Sequence, residues 1–156
     1  DLLIEATRHI AAHNPQLAKK LHIVLYGVLR DESLLDQIAV PHTYLGYRSD
    51  VNRIMQNADI VLSTSRYESF GYTLAEGLAS GCVPVTTGMG GQADIVKHRQ
   101  NGYVSGTLSP ADIAAGIEWA AGCGLGREQQ HRYALHHFDG AAVAAQYSAL
   151  LSGLMK

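Results

Sequence analysis

Apolar positions along this chain follow two alternating rhythms, one helical and one extended. Leu2, Leu3, Ala6 and Ile10 share a helical face, so an amphipathic helix is expected to be under way at Asp1 and to end at His13-Asn14-Pro15. Leu21 to Tyr26 form a short apolar run closed by Gly27, the pattern of a buried strand. Thr43 to Leu45, ahead of Gly46, and Asp59 to Ser63 read the same way. Between them Asp50 is placed to cap a helix that carries Val51, Ile54 and Met55 on one face. A short helix is expected from Thr73 to Ser80, then a strand from Val83 to Thr86 that runs into Gly88, Met89, Gly90 and Gly91. Past the Asn101-Gly102 turn and an extended Tyr103-Val104, the run Ser109-Pro110-Ala111-Asp112 starts a helix, with serine as cap and proline at the first helical position. Two more helices are expected between Leu125 and Leu154, the second starting near Asp139.

Strands that alternate with helices in this way predict an α/β, Rossmann-like domain: a mainly parallel sheet with helices on both faces, in one unit over residues 1–156. Ligands of such sheets sit beyond the carboxyl ends of the strands. Those ends are Gly27, Gly46, the stretch from Ser63 to Phe70, and the stretch from Thr87 to Gly91, so the polar and glycine-rich loops gather on one edge.

The chain has 156 residues, 47% of them apolar, enough for a buried core. Its formal net charge of −2 and lack of a long basic run exclude a general polyanion-binding surface, so nucleic acid is not an expected partner. Any phosphate must be met by a few placed donors. The two cysteines, Cys82 and Cys123, are too few for a disulfide framework. No signal-peptide pattern opens the chain, and no apolar run reaches the roughly 20 residues that cross a bilayer. A soluble, cytoplasmic protein is expected, with any membrane contact peripheral and made by parts outside this chain.

The most informative stretch runs from Ser65 to Val85. Glu68 and Glu76 flank a loop that turns into a helix, and the amides near Gly71 to Leu74 are expected to point outward from the helix N-terminus. Free N–H groups and the helix dipole favour an anion there, such as a diphosphate. Gly71 allows close approach of a ligand to the backbone, and a carboxylate on each side can accept from sugar hydroxyls. Plainer readings of the same residues stand beside this one. Thr73-x-x-Glu76 also spells a capping box, Glu68 also suits a solvated loop acid, and Gly71 also suits a tight turn.

The pattern Glu68-Ser-Phe-Gly71, then Glu76-Gly-Leu-Ala-x-Gly-Cys-Val-Pro-Val85, resembles that of the large retaining, GT-B-fold family of glycosyltransferases, the group 1 enzymes, whose two glutamates stand eight positions apart as here. The flanks agree: His42 to Asp50 with a nucleobase-contacting loop, Asn57 to Ser65 with the strand entering the motif, and Thr87 to Val96 followed by Asn101 to Val104 with the glycine loop and its turn. The likeness covers about Leu2 to Ala121. It implies the C-terminal half of a GT-B fold, with Glu76 on the ribose hydroxyls and Glu68 on the donor sugar. Backbone groups from Phe70 through Gly71, Tyr72 and Thr73 to Leu74, next to Ser69, would hold the diphosphate and sugar. Tyr47 and Arg48 would lie near the base. The donor would be UDP- or GDP-linked, and the sugar would pass to an acceptor hydroxyl with its anomeric configuration kept. No metal or cofactor is expected.

The family also places an arginine and a lysine on the diphosphate just ahead of the opening helix, after a strand near the sheet centre, and it has an acceptor-binding N-terminal domain. None of these occurs in this sequence. The resemblance therefore implies an apolar groove with unpaired backbone groups at the sheet centre. It also implies that the chain alone is inactive, as part of a larger enzyme. The alternatives are one half of a two-chain enzyme and a non-catalytic module of the same fold. His9 and His13 stand four apart on a helix but lack a third metal ligand nearby, and Cys82 and Trp119 suit packing.

Overall fold

A computed structural model describes residues 2–154; the expected start of the first helix at Asp1 lies outside them. Helix α1 (Leu2–His13) turns Ile4, Ala6, Thr7 and Ile10 inward. Asn14-Pro15 does end it, and also starts a further turn, α2 (Pro15–Ala18), which the periodicity did not show. The Asn14 carboxamide oxygen accepts from the Leu17 N–H at 3.1 Å, while Pro15 takes the first helical position, where no N–H is needed. Strand β1 (Ile23–Leu25) leads through a 3₁₀ turn over Glu32–Gln37, capped by the Asp31 carboxylate, to β2 (His42–Tyr44). Then follow α3 (Val51–Gln56), β3 (Ile60–Ser63), α4 (Tyr72–Ala79), β4 (Val83–Thr86), the four-residue α5 (Gln92–Ile95) and β5 (Tyr103–Val104). Helices α6 (Pro110–Gly122), α7 (Arg127–Phe138) and α8 (Gly140–Leu154) complete the described chain. Asp50 precedes α3 as expected but does not cap it. Its carboxylate is taken by the Arg48 guanidinium at 2.8 and 2.7 Å.

Every strand pair is parallel, but the strands form two sheets: β1 with β2, and β3–β4–β5 in that order. A groove of about 920 Å³ separates them, walled by β1 and β3 and floored by side chains that include Ile10 of α1, Met55 of α3 and Ile117 of α6. The ladders show which backbone groups face it. Ile23 N–H donates to Pro41 O and Leu25 O accepts from Leu45 N–H, both at 2.9 Å, so β1 spends alternate residues on β2 and turns Val24 the other way. On β3, Asp59 O accepts from Val83 N–H at 2.8 Å, so Asp59, Val61 and Ser63 serve β4 while Ile60 and Leu62 face the groove. The apolar groove expected at the sheet centre is therefore present. Pro84 lies inside the middle strand, a position proline normally avoids. It is tolerated because Val83 and Val85 make the β3-side bonds, and β5 begins opposite Val85.

Two apolar clusters cover the two faces of the strands. On one, Ala6 and Ile10 of α1 meet Ile113 and Ile117 of α6 over Val83 and Val85. On the other, Met55, Leu74 and Leu78 pack with Val61, Ile95 and Ala134 of α7. Helix α6 starts as its sequence predicts: Ser109 Oγ accepts from the Asp112 N–H at 3.2 Å. Asp112 turns elsewhere, accepting from Tyr103 Oη at 2.8 Å and Thr107 N–H at 2.9 Å. Burial pushes its carboxyl up, but these hydrogen bonds outweigh it and hold the group below the usual aspartate range. Helix α8 buries none of its residues and leaves Tyr147, Leu150, Leu151 and Leu154 exposed along one stripe.

Two measurements check this arrangement. In hydrogen exchange, the groove-facing amides of Val24 and Leu62 exchange at least about tenfold faster than those of Leu25 and Val85, which are locked in the ladders; equal protection would mean that the groove is closed. Ser109→Ala removes the α6 cap and lowers the unfolding free energy by about 1 kcal/mol, read from the urea midpoint at unchanged slope.

Candidate functional site

The chain leaves β3 at Ser63 and crosses residues 64–70 as an irregular loop before α4 begins. Gly71 makes the corner. Its φ of +100° lies in the left-handed region, which favours glycine, although a Cβ there would find only ordinary contacts with Ile95 Cδ1 at 3.4 Å and Leu74 Cδ1 at 3.5 Å. Gly71 is the N-cap of α4, so Thr73 is inside the helix and the capping box with Glu76 does not form. Gly71 O instead receives the amides of Leu74 at 2.9 Å and Ala75 at 3.3 Å. The amides offered at this helix start are thereby narrowed to those of Tyr72 and Thr73, which precede any possible i−4 partner. Leu74 has spent its N–H and buries its side chain, so it is a core anchor and has no donor left for a ligand.

The carboxylates lie on either side of this corner. Glu68 is half-buried and Glu76 is exposed, and among the described residues neither carboxylate enters a hydrogen bond or ion pair. Burial, and next the charge of Glu76, raise the Tyr26 phenol above its ordinary range, so the end of β1 lies within electrostatic reach of Glu76. Phe70 anchors the loop from inside, with its ring 4.9 Å from Tyr72 and 6.2 Å from Phe138 of α7. Ser69 is exposed next to it. Tyr47 and Arg48 occupy a separate loop beyond β2; Tyr47 is 80% exposed, and Arg48 is engaged with Asp50.

Helix α4 is fixed at its far end as firmly as at its start. Gly77 lets it touch β3: any Cβ there would collide with Val61. At its C-terminus Cys82 N–H donates to Gly77 O at 2.8 Å and Gly81 N–H to Leu78 O at 2.9 Å, with Gly81 at φ +89°. This is the Schellman pair of bonds, which needs glycine at that place. Arg127 of α7 then donates to Ser80 O at 2.8 Å, and also to Gln56 O and Ala58 O at 2.7 Å. A cation at the carboxyl end complements the partial negative charge there, leaving the partial positive charge at Tyr72-Thr73.

The loop bearing Glu68 is clasped by the glycine turn after β4. Gly91 N–H donates to Glu68 O at 2.9 Å, and Glu68 pairs with Gly90 as an isolated parallel bridge. A Cβ on Gly90 would collide with Glu68 O, and one on Gly91 with Ser69 O. These two glycines therefore do more than make a turn: they let two backbones touch. Sequence reading did not identify the buried polar residues beneath this clasp, Thr86, Thr87 and Gln92, because burial of a polar side chain leaves no local pattern. Among the described residues no three His, Cys, Asp or Glu side chains converge as a metal site. His9 and His13 stack on each other with ring centres 4.1 Å apart.

Comparison with known proteins agrees with this geometry. The family described as glycosyl transferases group 1 matches residues 1–136. An uncharacterized glycosyltransferase of Methanocaldococcus jannaschii is 34% identical over 105 residues, which is 64% of this chain and 27% of that protein. A glycogen synthase of Rhizobium johnstonii is 32% identical over 96 residues, 61% of this chain and 19% of that one. In three dimensions, Anabaena HepE, solved in complex with UDP-glucose, superposes with a TM-score of 0.74 at 24% identity, over 97% of this chain and 44% of its own. The chain thus spans about a quarter or less of the length of these curated relatives and under half of the solved structure. With the match running through the paired glutamates, the glycine clasp and the strands that carry them, the chain belongs to the glycosyl transferases group 1 family and has the fold of the C-terminal half of a GT-B structure.

Proposed function

We propose that this chain is the donor-binding half of a retaining glycosyltransferase that uses a nucleotide-diphosphate sugar. The observation that carries the reading is the start of α4, where the exposed Tyr72 and Thr73 have amides without a partner inside the helix and Glu68 and Glu76 flank them along the chain. Amides at the positive end of a helix suit a diphosphate, and carboxylates that accept without donating suit hydroxyls. In this arrangement the backbone from Ser69 through Phe70 and Gly71 to Thr73 holds the diphosphate. Glu76 takes the ribose hydroxyls, on the side toward Tyr26. Glu68, held by the glycine clasp, takes the transferred sugar. Tyr47 and Arg48 line the approach of the base. The bound UDP-glucose of Anabaena HepE supports a UDP-type donor.

Fixed amides and helix charge aimed at the leaving phosphate stabilise the charge that develops as the glycosidic bond to the nucleotide breaks, without a metal ion. The acceptor hydroxyl attacks on the face from which the nucleotide leaves, so the configuration is kept. The acceptor is brought by a second domain across the cleft.

Isothermal calorimetry with UDP-glucose and with a GDP-linked sugar tests the assignment. Binding of one of them, weakened by about 2 kcal/mol or roughly 30-fold in Glu76→Ala, is expected; no binding of either, or no effect of the substitution, overturns it. Transfer is a separate matter, because it requires donor and acceptor held together. Residues 1–156 alone are expected to give no turnover with a free sugar acceptor above that without protein; measurable product would show that this half suffices.

A further inference from the structure

Gln92 is fully buried, yet it carries a polar amide in a place where leucine or methionine would fill the same space. Burying an amide is costly unless each of its groups is bonded, and here each one is. Its carbonyl oxygen accepts from Thr86 Oγ1. Its amide donates to Met89 O at 3.1 Å and reaches Thr87 Oγ1 at 3.5 Å. The two threonines pass the bonding on. Thr86 Oγ1 accepts from Gly88 N–H at 3.3 Å, and Thr87 Oγ1 donates to Ser65 O at 2.6 Å. The directions are mutually consistent: each hydroxyl donates once and accepts once, so the network has one sense. It ties the end of β4, both sides of the Gly88–Gly91 turn and the start of the Glu68 loop to a single side chain.

An apolar residue at 92 could pack against its neighbours, but it could not fix the Met89 carbonyl or align Thr87 toward Ser65. The rest of the turn is set by its own residues: Gly88 and Gly90 have φ of +69° and +73°, and Thr86 and Thr87 are buried. Gln92 holds the outward half of the turn, Met89 to Gly91, from beneath through the Met89 carbonyl, and that half supplies the Gly91 N–H that holds Glu68 O. Gly71 is also within reach, since a Cβ there would meet Gln92 Cγ at 3.6 Å.

We infer that Gln92 is a positioning residue for Glu68: its buried amide, bonded to Thr86, Thr87 and Met89, sets the glycine turn as the seat on which the Glu68 loop is held, and through it the grip on the donor's sugar. This rests on the role proposed above for Glu68. It makes a specific demand, that Gln92 acts on the sugar end of the donor and leaves the nucleotide end, served by Glu76 and the α4 amides, as it was.

The test compares UDP with UDP-glucose, and GDP with GDP-mannose, by calorimetry on the wild-type chain and on Gln92→Met, which keeps size and shape but makes no such bonds. In the pair that binds, wild type prefers the sugar nucleotide. Gln92→Met weakens that sugar nucleotide about tenfold while the plain nucleotide stays within about twofold. A merely structural loss weakens both members equally, and that result, or no change in either, overturns the inference. If Gln92→Met does not fold, Thr87→Val, which cuts the bond to Ser65 O, carries the same expectation and the same refutation. Should wild type bind no nucleotide or sugar nucleotide, the donor-binding reading itself is wrong and the inference goes with it. If it binds nucleotide and sugar nucleotide equally, only the inference is overturned.

Discussion

The Glu68 carbonyl and the Gly91 amide meet at 2.9 Å in a place where no side chain can stand. That contact joins two loops which leave different strands, β3 and β4, and it converts both from free connections into one surface. Loops are ordinarily the mobile part of an α/β domain. Here the first is bonded to the second along its main chain, the second is bonded beneath to Gln92, and Phe70 fills the space between them and α7. The acid on the first loop is therefore carried by a seat of backbone, which varies less in position than a side chain on a free loop.

The same economy holds for the helix that follows. An eight-residue helix has a weak dipole and frays readily unless both ends are held. In α4 the start is shaped by a left-handed glycine and the end by a second, while Arg127 bridges the carboxyl ends of α3 and α4 from a third helix. His131 Nδ1 adds a further contact, 2.5 Å from Ala79 O. The open amides at Tyr72 and Thr73 thus belong to a helix whose far end is held about ten ångströms from them, at about 1.5 Å of rise per residue.

Much of this was legible in the residues alone, for reasons that can be named. Most strands read correctly because their runs are short and apolar, with Gly27 and Gly46 closing the first two, and α6 read correctly because Ser109 and Pro110 act locally. Local signals failed where a residue had a choice of partner. Asp50 could cap α3 or pair with Arg48, and the bidentate pair won. Thr73 and Glu76 have capping-box spacing, but the left-handed Gly71 moved the cap two residues upstream. The α2 turn was hidden because Asn14-Pro15 both stops one helix and starts another. The paired glutamates were legible from their family pattern, whereas the network around Gln92 depends on burial contributed by α4 and β4 together, and no short window contains that information.

Pro84 adds a consequence of a different kind. In β4, alternate residues speak to opposite neighbours: 83 and 85 to β3, 84 and 86 to β5. Sliding the strand by one residue against β3 would ask Pro84 for a hydrogen it does not possess. The imino acid thereby acts as a ratchet tooth that bars every slip by an odd number of residues, and so helps to set where Thr86 comes to rest under the turn.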